Sequence, residues 1–211
     1  MHLAERTTKV YLLQIEPIQP HFTRVGFCFI LERTYVPYMG IFGGFKMKLT
    51  LTRKEEFIQK LYKTAKIYSP AQISDYNIAD MLGLTIMPAP IDSKRLGALI
   101  VVDSRIPDEE QHEQFAHELC HSIWHVTNQM LMPGFWTEYQ EWTADTFANH
   151  YCMPTFMLLE LDLQAYRTKK HLYYEMAELF GVTLEFATKR IDDFLFQLEW
   201  RDKNIFETVH T

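Results

Sequence analysis

The apolar positions fall into a regular helical period just after Met47. Phe57, Ile58, Leu61, Tyr62 and Ala65 recur on one face, which predicts a helix. Thr52 and Glu55 precede it at the spacing of a capping box, in which each side chain satisfies the other residue's free backbone N–H. Ser69-Pro70 is read as its end. A second short helix is predicted near Asp75–Leu82, with Gly83 as its C-terminal stop. Two short apolar runs, residues 84–87 and 97–102, predict strands. The stretch between them, residues 88–96, holds two prolines and reads as a loop. Pro107 suits the first turn of a third helix, and Asp108, Glu109 and Glu110 suit its positive end. That helix should run to about His125, and Met132-Pro133-Gly134 breaks the pattern. Thr137 and Gln140 repeat the capping-box spacing ahead of a helix reaching about Tyr151, and Pro154 stops it or opens the next. Helical period resumes in the last third and ends near Trp200.

Residues 1–46 read differently. They carry Pro17, Pro20, Pro37, Gly40, Gly43 and Gly44 and no sustained helical period. Their β-like runs, 9–15 and 25–31, have no evident partner. Gly43-Gly44 can also be encoded as a purine-rich ribosome-binding sequence at a workable distance from the Met47 codon. The expected organisation is an N-terminal extension over 1–46, either a mis-assigned start or a genuine extension that adds a strand or covers the active site, then a core over 47–160 and a helical tail over 161–211.

Composition adds bounds. With 47% hydrophobic and 23% charged residues in 211, the chain can bury a core and is not of the disordered class. A formal net charge of −6 with interspersed signs argues against a nucleic-acid surface over the whole molecule. No apolar run is long enough to span a bilayer, and the N-terminus lacks signal-peptide order. The three cysteines, Cys28, Cys120 and Cys152, show no disulfide framework. A reduced, cytoplasmic setting is the expectation.

The chemistry lies in His117-Glu118-Leu119-Cys120-His121, an HExxH. On a helix the two imidazoles, four residues apart, share one face and reach one ion. Glu118 is one position on. It borders the open coordination position, where it can take a proton from a water acidified by zinc. HExxH alone is a weak signal, and its alternative is an ordinary amphipathic helix with two surface histidines. The third ligand decides. Glu141 stands on the next predicted helix, which should run antiparallel because the link is short. Asp145, one turn further on the same face, is placed to accept the second N–H of a ligand histidine and fix its tautomer. The resulting candidate site is His117, His121 and Glu141 on one Zn2+ per chain, Glu118 as general base and Asp145 behind a ligand. Three protein ligands leave a position open, the mark of a catalytic zinc. His125, His150 and Cys152 are weaker candidates, and Cys120 should face away.

With these residues in hand, the sequence resembles the ImmA/IrrE family of metallopeptidases over roughly residues 47–200. ALIVVDSRIPDEEQHEQFAHELCHSIWH is similar to the family's strand and HELGH-type helix. EWTADTFANHYCMP is similar to its E-x-E-A-N-x-F-A-x-x-L-L-M-P segment, through Glu141, Ala144, Phe147, Ala148, Met153 and Pro154. FGVTLEFATKRI is similar to a segment that follows the family's core. Thr143, Asp145 and Cys120 depart from the pattern, but none removes a ligand or the base.

The resemblance implies an α+β fold. Its zincin-like core, mainly helical and of gluzincin type, carries a small antiparallel sheet beside the HExxH helix and a helical C-terminal tail. It also implies a zinc endopeptidase whose partner is a helix-turn-helix repressor of a prophage or mobile element, cleaved to relieve repression. The substrate would add as a strand to an exposed edge, for which 97–102 is the candidate. Tyr139 and Tyr151 are the guesses for oxyanion stabilisation. Two alternatives stay open, a non-proteolytic regulator and a toxin-like effector carrying a metal site. Read as a helix-turn-helix, FGVTLEFATKRI offers only Lys189 and Arg190 before Asp192 and Asp193, which is poor for phosphate contacts and argues against direct nucleic-acid binding.

Overall fold

The computed structural model describes residues 36–42, 45–124 and 134–208, with side chains described for 51–124, 134–163 and 165–198. The strand candidates at 9–15 and 25–31, the end of the third helix at His125 and the break at Met132-Pro133 lie outside them.

Strands β1 (Val36–Phe42) and β2 (Phe45–Leu51) pair antiparallel as a hairpin. Met47, where the helical period begins in the sequence, lies within β2 opposite Gly40. Helix α1 (Arg53–Thr64) starts on the capping box: Glu55 N–H donates to the Thr52 hydroxyl, and the Thr52 N–H donates to the Glu55 carboxylate at 2.7 Å. It ends at Thr64, ahead of Ser69-Pro70, which instead opens a single 3-10 turn over Pro70–Gln72. Helix α2 (Asp75–Leu82) stops at Gly83, whose φ of 71° is the left-handed cap open to glycine.

The sheet corrects two expectations. Strand β3 (Thr85–Ala89) pairs parallel with β5 (Leu99–Asp103), and β4 (Lys94–Leu96) pairs antiparallel with β5, in the order β3-β5-β4. The small sheet is therefore mixed rather than antiparallel. Residues 97–102 are not an edge, because β5 is bonded on both sides. The edges are β3 and β4, and β4 reads as loop in the sequence because it is three residues long and mostly polar, features that keep edge strands from unwanted pairing. Gly97, at φ 64°, occupies the first place of the two-residue turn joining β4 to β5, a place that requires glycine's freedom.

Helix α3 (Asp108–Trp124) follows β5, and α4 (Gly134–Cys152) packs against it. Thr137 and Gln140 lie inside α4, not at its start, and Gln140 is buried. Pro154 caps the short α5 (Thr155–Leu158), and α6 (Lys169–Phe180) and α7 (Leu184–Thr208) are joined through Gly181 at φ 64°. The core is continuous across these helices. Ile58 and Leu61, Ile78, Ile100, Phe115 and Leu119, Phe147, Met176 and Phe194 belong to one buried cluster. The fold is α+β and mainly helical. Among the described residues no helix is long and apolar enough to cross a membrane.

Candidate metal centre

Helices α3 and α4 run antiparallel, as their contacts show: His112 meets Tyr151, His117 meets Asp145 and His121 meets Glu141. Each helix buries one face. On α3 these are Phe115, Ala116, Leu119 and Cys120, and on α4 Ala144, Phe147, Ala148 and Tyr151. That packing leaves the flank carrying His117 and His121 opposite the flank carrying Glu141 and Asp145.

The three candidate ligands converge. His121 Nε2 lies 3.0 Å from His117 Nε2, His117 Nε2 lies 3.1 Å from a Glu141 carboxylate oxygen, and His121 Nε2 lies 3.5 Å from the other. One ligand atom from each residue falls within 4.8 Å of the rest, and the three are a His/Glu group able to hold a metal ion. Zinc at about 2.0–2.1 Å from each ligand spaces tetrahedral donors about 3.3 Å apart, so the donor set fits that ion. His117 Nδ1 is 3.0 Å from Asp145 Oδ1. A proton shared there leaves the Nε2 lone pair directed at the other donors. Burial lowers the His121 pKa, as do His117 and Arg95, against the pull of Glu141. The shift favours the neutral ring, the form that binds metal.

Glu118 is half-buried beside these groups. Burial raises its pKa and Glu141 adds to the rise, while His117 and a hydrogen bond from the Arg95 backbone N–H work the other way. That bond ties Glu118 to the sheet edge. A two-residue turn closes on a bonded pair, Leu96 with Leu99, so the next pair, Arg95 with Ile100, leaves the Arg95 peptide groups facing away from β5. Nothing local in the sequence marks Arg95, because its place depends on a strand the pattern does not reveal.

The remaining expectations separate cleanly. Cys120 is buried, and desolvation pushes its thiol up to about 12. Cys152 is buried with Sγ 3.9 Å from the His112 carbonyl oxygen, and desolvation raises its pKa as well. His150 faces the buried Glu55, with Nδ1 3.6 Å from the carboxylate. Tyr151 is fully buried and donates to Asp75 at 3.0 Å, which removes it from oxyanion stabilisation. Tyr139 stands half exposed in a row of aromatic rings. His125 lies outside the described residues.

Behind the centre, two polar ties hold its helices. Asp75 accepts from Tyr151 and contacts His112 Nδ1 at 2.8 Å, while the Tyr62 hydroxyl donates to the Tyr151 carbonyl at 2.8 Å. Arg190, fully buried on α7, donates from Nε to the carbonyls of Asn149 and Met153 at 3.1 Å each, and from Nη2 to the Thr155 hydroxyl at 2.8 Å. Thr155 in turn donates to Glu55. The ends of α4, α1 and α7 are thereby joined. The sequence reading counts Arg190 only as poor basic content in a helix-turn-helix alternative; its burial is a tertiary fact.

A family model described as the IrrE N-terminal-like domain, of peptidase family M78, matches residues 81–192. Two proteins of Bacillus subtilis (strain 168) are each 36% identical to this chain. One is the uncharacterized protein YqaB, aligned over 149 residues, 69% of this chain and 86% of that protein. The other is the phage-like element PBSX protein XkdA, aligned over 148 residues, 68% of this chain and 74% of that protein. Among solved structures, a Mycobacterium tuberculosis transcriptional regulator overlays 66% of this chain and 55% of its own at a TM-score of 0.46 and 16% identity, a likeness too loose to bear on function.

Proposed function

This chain belongs to the M78 peptidases, the metallopeptidase family of IrrE N-terminal-like type, and from that premise we propose that it is a zinc-dependent endopeptidase acting on a helix-turn-helix repressor. The observation that carries the proposal is the convergence of His117, His121 and Glu141 beside Glu118.

A zinc ion bound there supplies a Lewis acid that acidifies water and polarises a peptide carbonyl. His117, His121 and Glu141 hold it, and Asp145 keeps the His117 ring in the tautomer that binds. The carboxylate of Glu118 accepts the proton of the attacking water and delivers it to the leaving amine nitrogen. Its partial burial suits the first half of that task, since a carboxylate whose pKa is raised is the stronger base, and its acid form can still donate to the far more basic leaving amine. The substrate chain lies along β4, the edge nearest the base, and pairs with the outward carbonyl of Arg95, whose N–H is held by Glu118.

The repressor is the finer part of this reading. It rests on the family resemblance, and XkdA is by its name a protein of a phage-like element. Incubating the purified chain with helix-turn-helix repressors, first any that a neighbouring gene encodes, with and without chelator, tests it. Cleavage that stops with chelator and returns with zinc is the expected result. An intact repressor alongside zinc-dependent cleavage of an unrelated unfolded protein would keep the peptidase and remove the repressor.

A further inference from the structure

Helix α4 has two faces that the fold treats differently. Its core face is buried through Gln140, Ala144, Phe147 and Tyr151. The opposite face carries Phe135, Tyr139 and Trp142, at positions i, i+4 and i+7, and these are 58%, 50% and 56% exposed. Apolar rings in this spacing normally mark a buried face. Here they form a continuous row: Phe135 and Trp136 are 5.4 Å apart, Trp136 and Tyr139 6.3 Å, Tyr139 and Trp142 6.1 Å. Lys54 braces the end nearest the metal centre, with Nζ 5.6 Å from the Trp142 ring and bonded to the Thr143 carbonyl at 3.3 Å. The row ends one residue from Glu141.

We propose that this row docks an amphipathic basic helix of the protein substrate, separately from the strand that enters the cleft. The proposal takes from the peptidase reading only that the docked helix belongs to the substrate. The spacing selects a helix, because a ridge at i, i+4 and i+7 fits the groove of another helix. The row is about 10 Å long, about two turns of a partner. Charge selects a basic partner. Glu138 and Asp145 border the row on the side of the metal centre, both exposed, and the chain carries a formal net charge of −6. The same charges oppose a nucleic acid or an anionic membrane. A helix held on α4 would present its neighbouring segment to the site one residue away, so docking would confer selectivity for folded helical proteins over free peptides.

The test uses the full chain carrying Glu118→Gln, so that nothing is cleaved, and a fluorescein-labelled helical peptide of leucine and lysine in amphipathic order. A twin with glutamate for lysine is the control. Anisotropy should show the lysine peptide binding and the glutamate twin weaker by about tenfold or more. Adding Phe135→Ala and Tyr139→Ala should weaken the lysine peptide by about tenfold or more, with zinc uptake and thermal midpoint unchanged. Equal binding of the two peptides, or binding indifferent to the double substitution, would overturn the proposal. So would substitution-sensitive binding to vesicles of anionic lipid, or self-association that the substitutions abolish, since either gives the row another occupant. Zinc uptake separates the two readings. No uptake with docking intact removes the peptidase and leaves the docking surface, and uptake without docking does the reverse.

Discussion

At the scale of single residues, the centre assigns distinct tasks to neighbouring acids. Glu118 is beside the donors without being one, so Glu118→Gln should keep about one zinc per chain by elemental analysis and lose peptidase activity. His121→Ala or Glu141→Ala should lose both. Metal-free protein that takes up no zinc on titration would defeat the assignment. Asp145 contacts His117 Nδ1 at 3.0 Å, and on the proposed function it acts through that ring. Asp145→Ala should weaken zinc by about 10–100-fold, measured by competition with a chelating dye, while the circular dichroism stays that of the parent. An unchanged zinc affinity would make Asp145 a surface acid. These residues were legible in the sequence because HExxH and E-x-x-x-D place their side chains by helical period alone. Arg95, Lys54 and Arg190 were not. Their roles come from partners on other elements, as when burial brings the Lys54 pKa down to about 8.

At the scale of elements, the helices and their caps followed from local pattern. The Thr52–Glu55 box and Gly83 do the same work in the fold that their spacing implies. Thr137 and Gln140 show the limit of such signals. The same spacing occurs inside α4, where the chain is already helical and Gln140 is wanted for the buried face. The buried clamp of Arg190 binds α7 to the end of the helix that carries Glu141. Arg190→Met should leave two carbonyls and the Glu55 carboxylate without their cation, and cost about 3 kcal/mol or more in urea unfolding. A loss below about 1 kcal/mol would show that water replaces the guanidinium there.

At the scale of the whole molecule, the groups around His150 and Glu55 predict a loss of stability in acid. His150 is largely shielded from solvent; desolvation, with Arg190 and Lys54 nearby, brings its pKa down to about 3 against the pull of Glu55. The unfolded chain binds that proton near pH 6.5 and the folded chain does not, so stability falls as pH drops from about 6.5 towards 3. Glu55, held below the usual carboxylate range despite burial, loses its contribution in the same direction. The slope due to His150 is at most about 1.4 kcal/mol per pH unit. His150→Gln should flatten the stability profile between pH 6.5 and about 4.5, measured by urea unfolding at a series of pH values. A profile as steep as the parent's would place the acid sensitivity elsewhere.

What the sequence by itself determined is what short-range geometry dictates: the helices, their caps, and the pairing of two histidines and of a glutamate and aspartate on helical faces. The α+β class and the residues of the candidate centre were within its reach because each depends on spacings of three or four residues. The tertiary structure alone decided which strand is central and which are edges, that Tyr151 is sealed in the core, and that Arg190 is buried. It also decided that Phe135, Tyr139 and Trp142 face solvent. An apolar stripe tells a helix only that it has a preferred face. Which of two apolar faces is buried depends on what the rest of the chain brings against it, and on α4 the contacts with α3 and α1 cover one and leave the aromatic row bare.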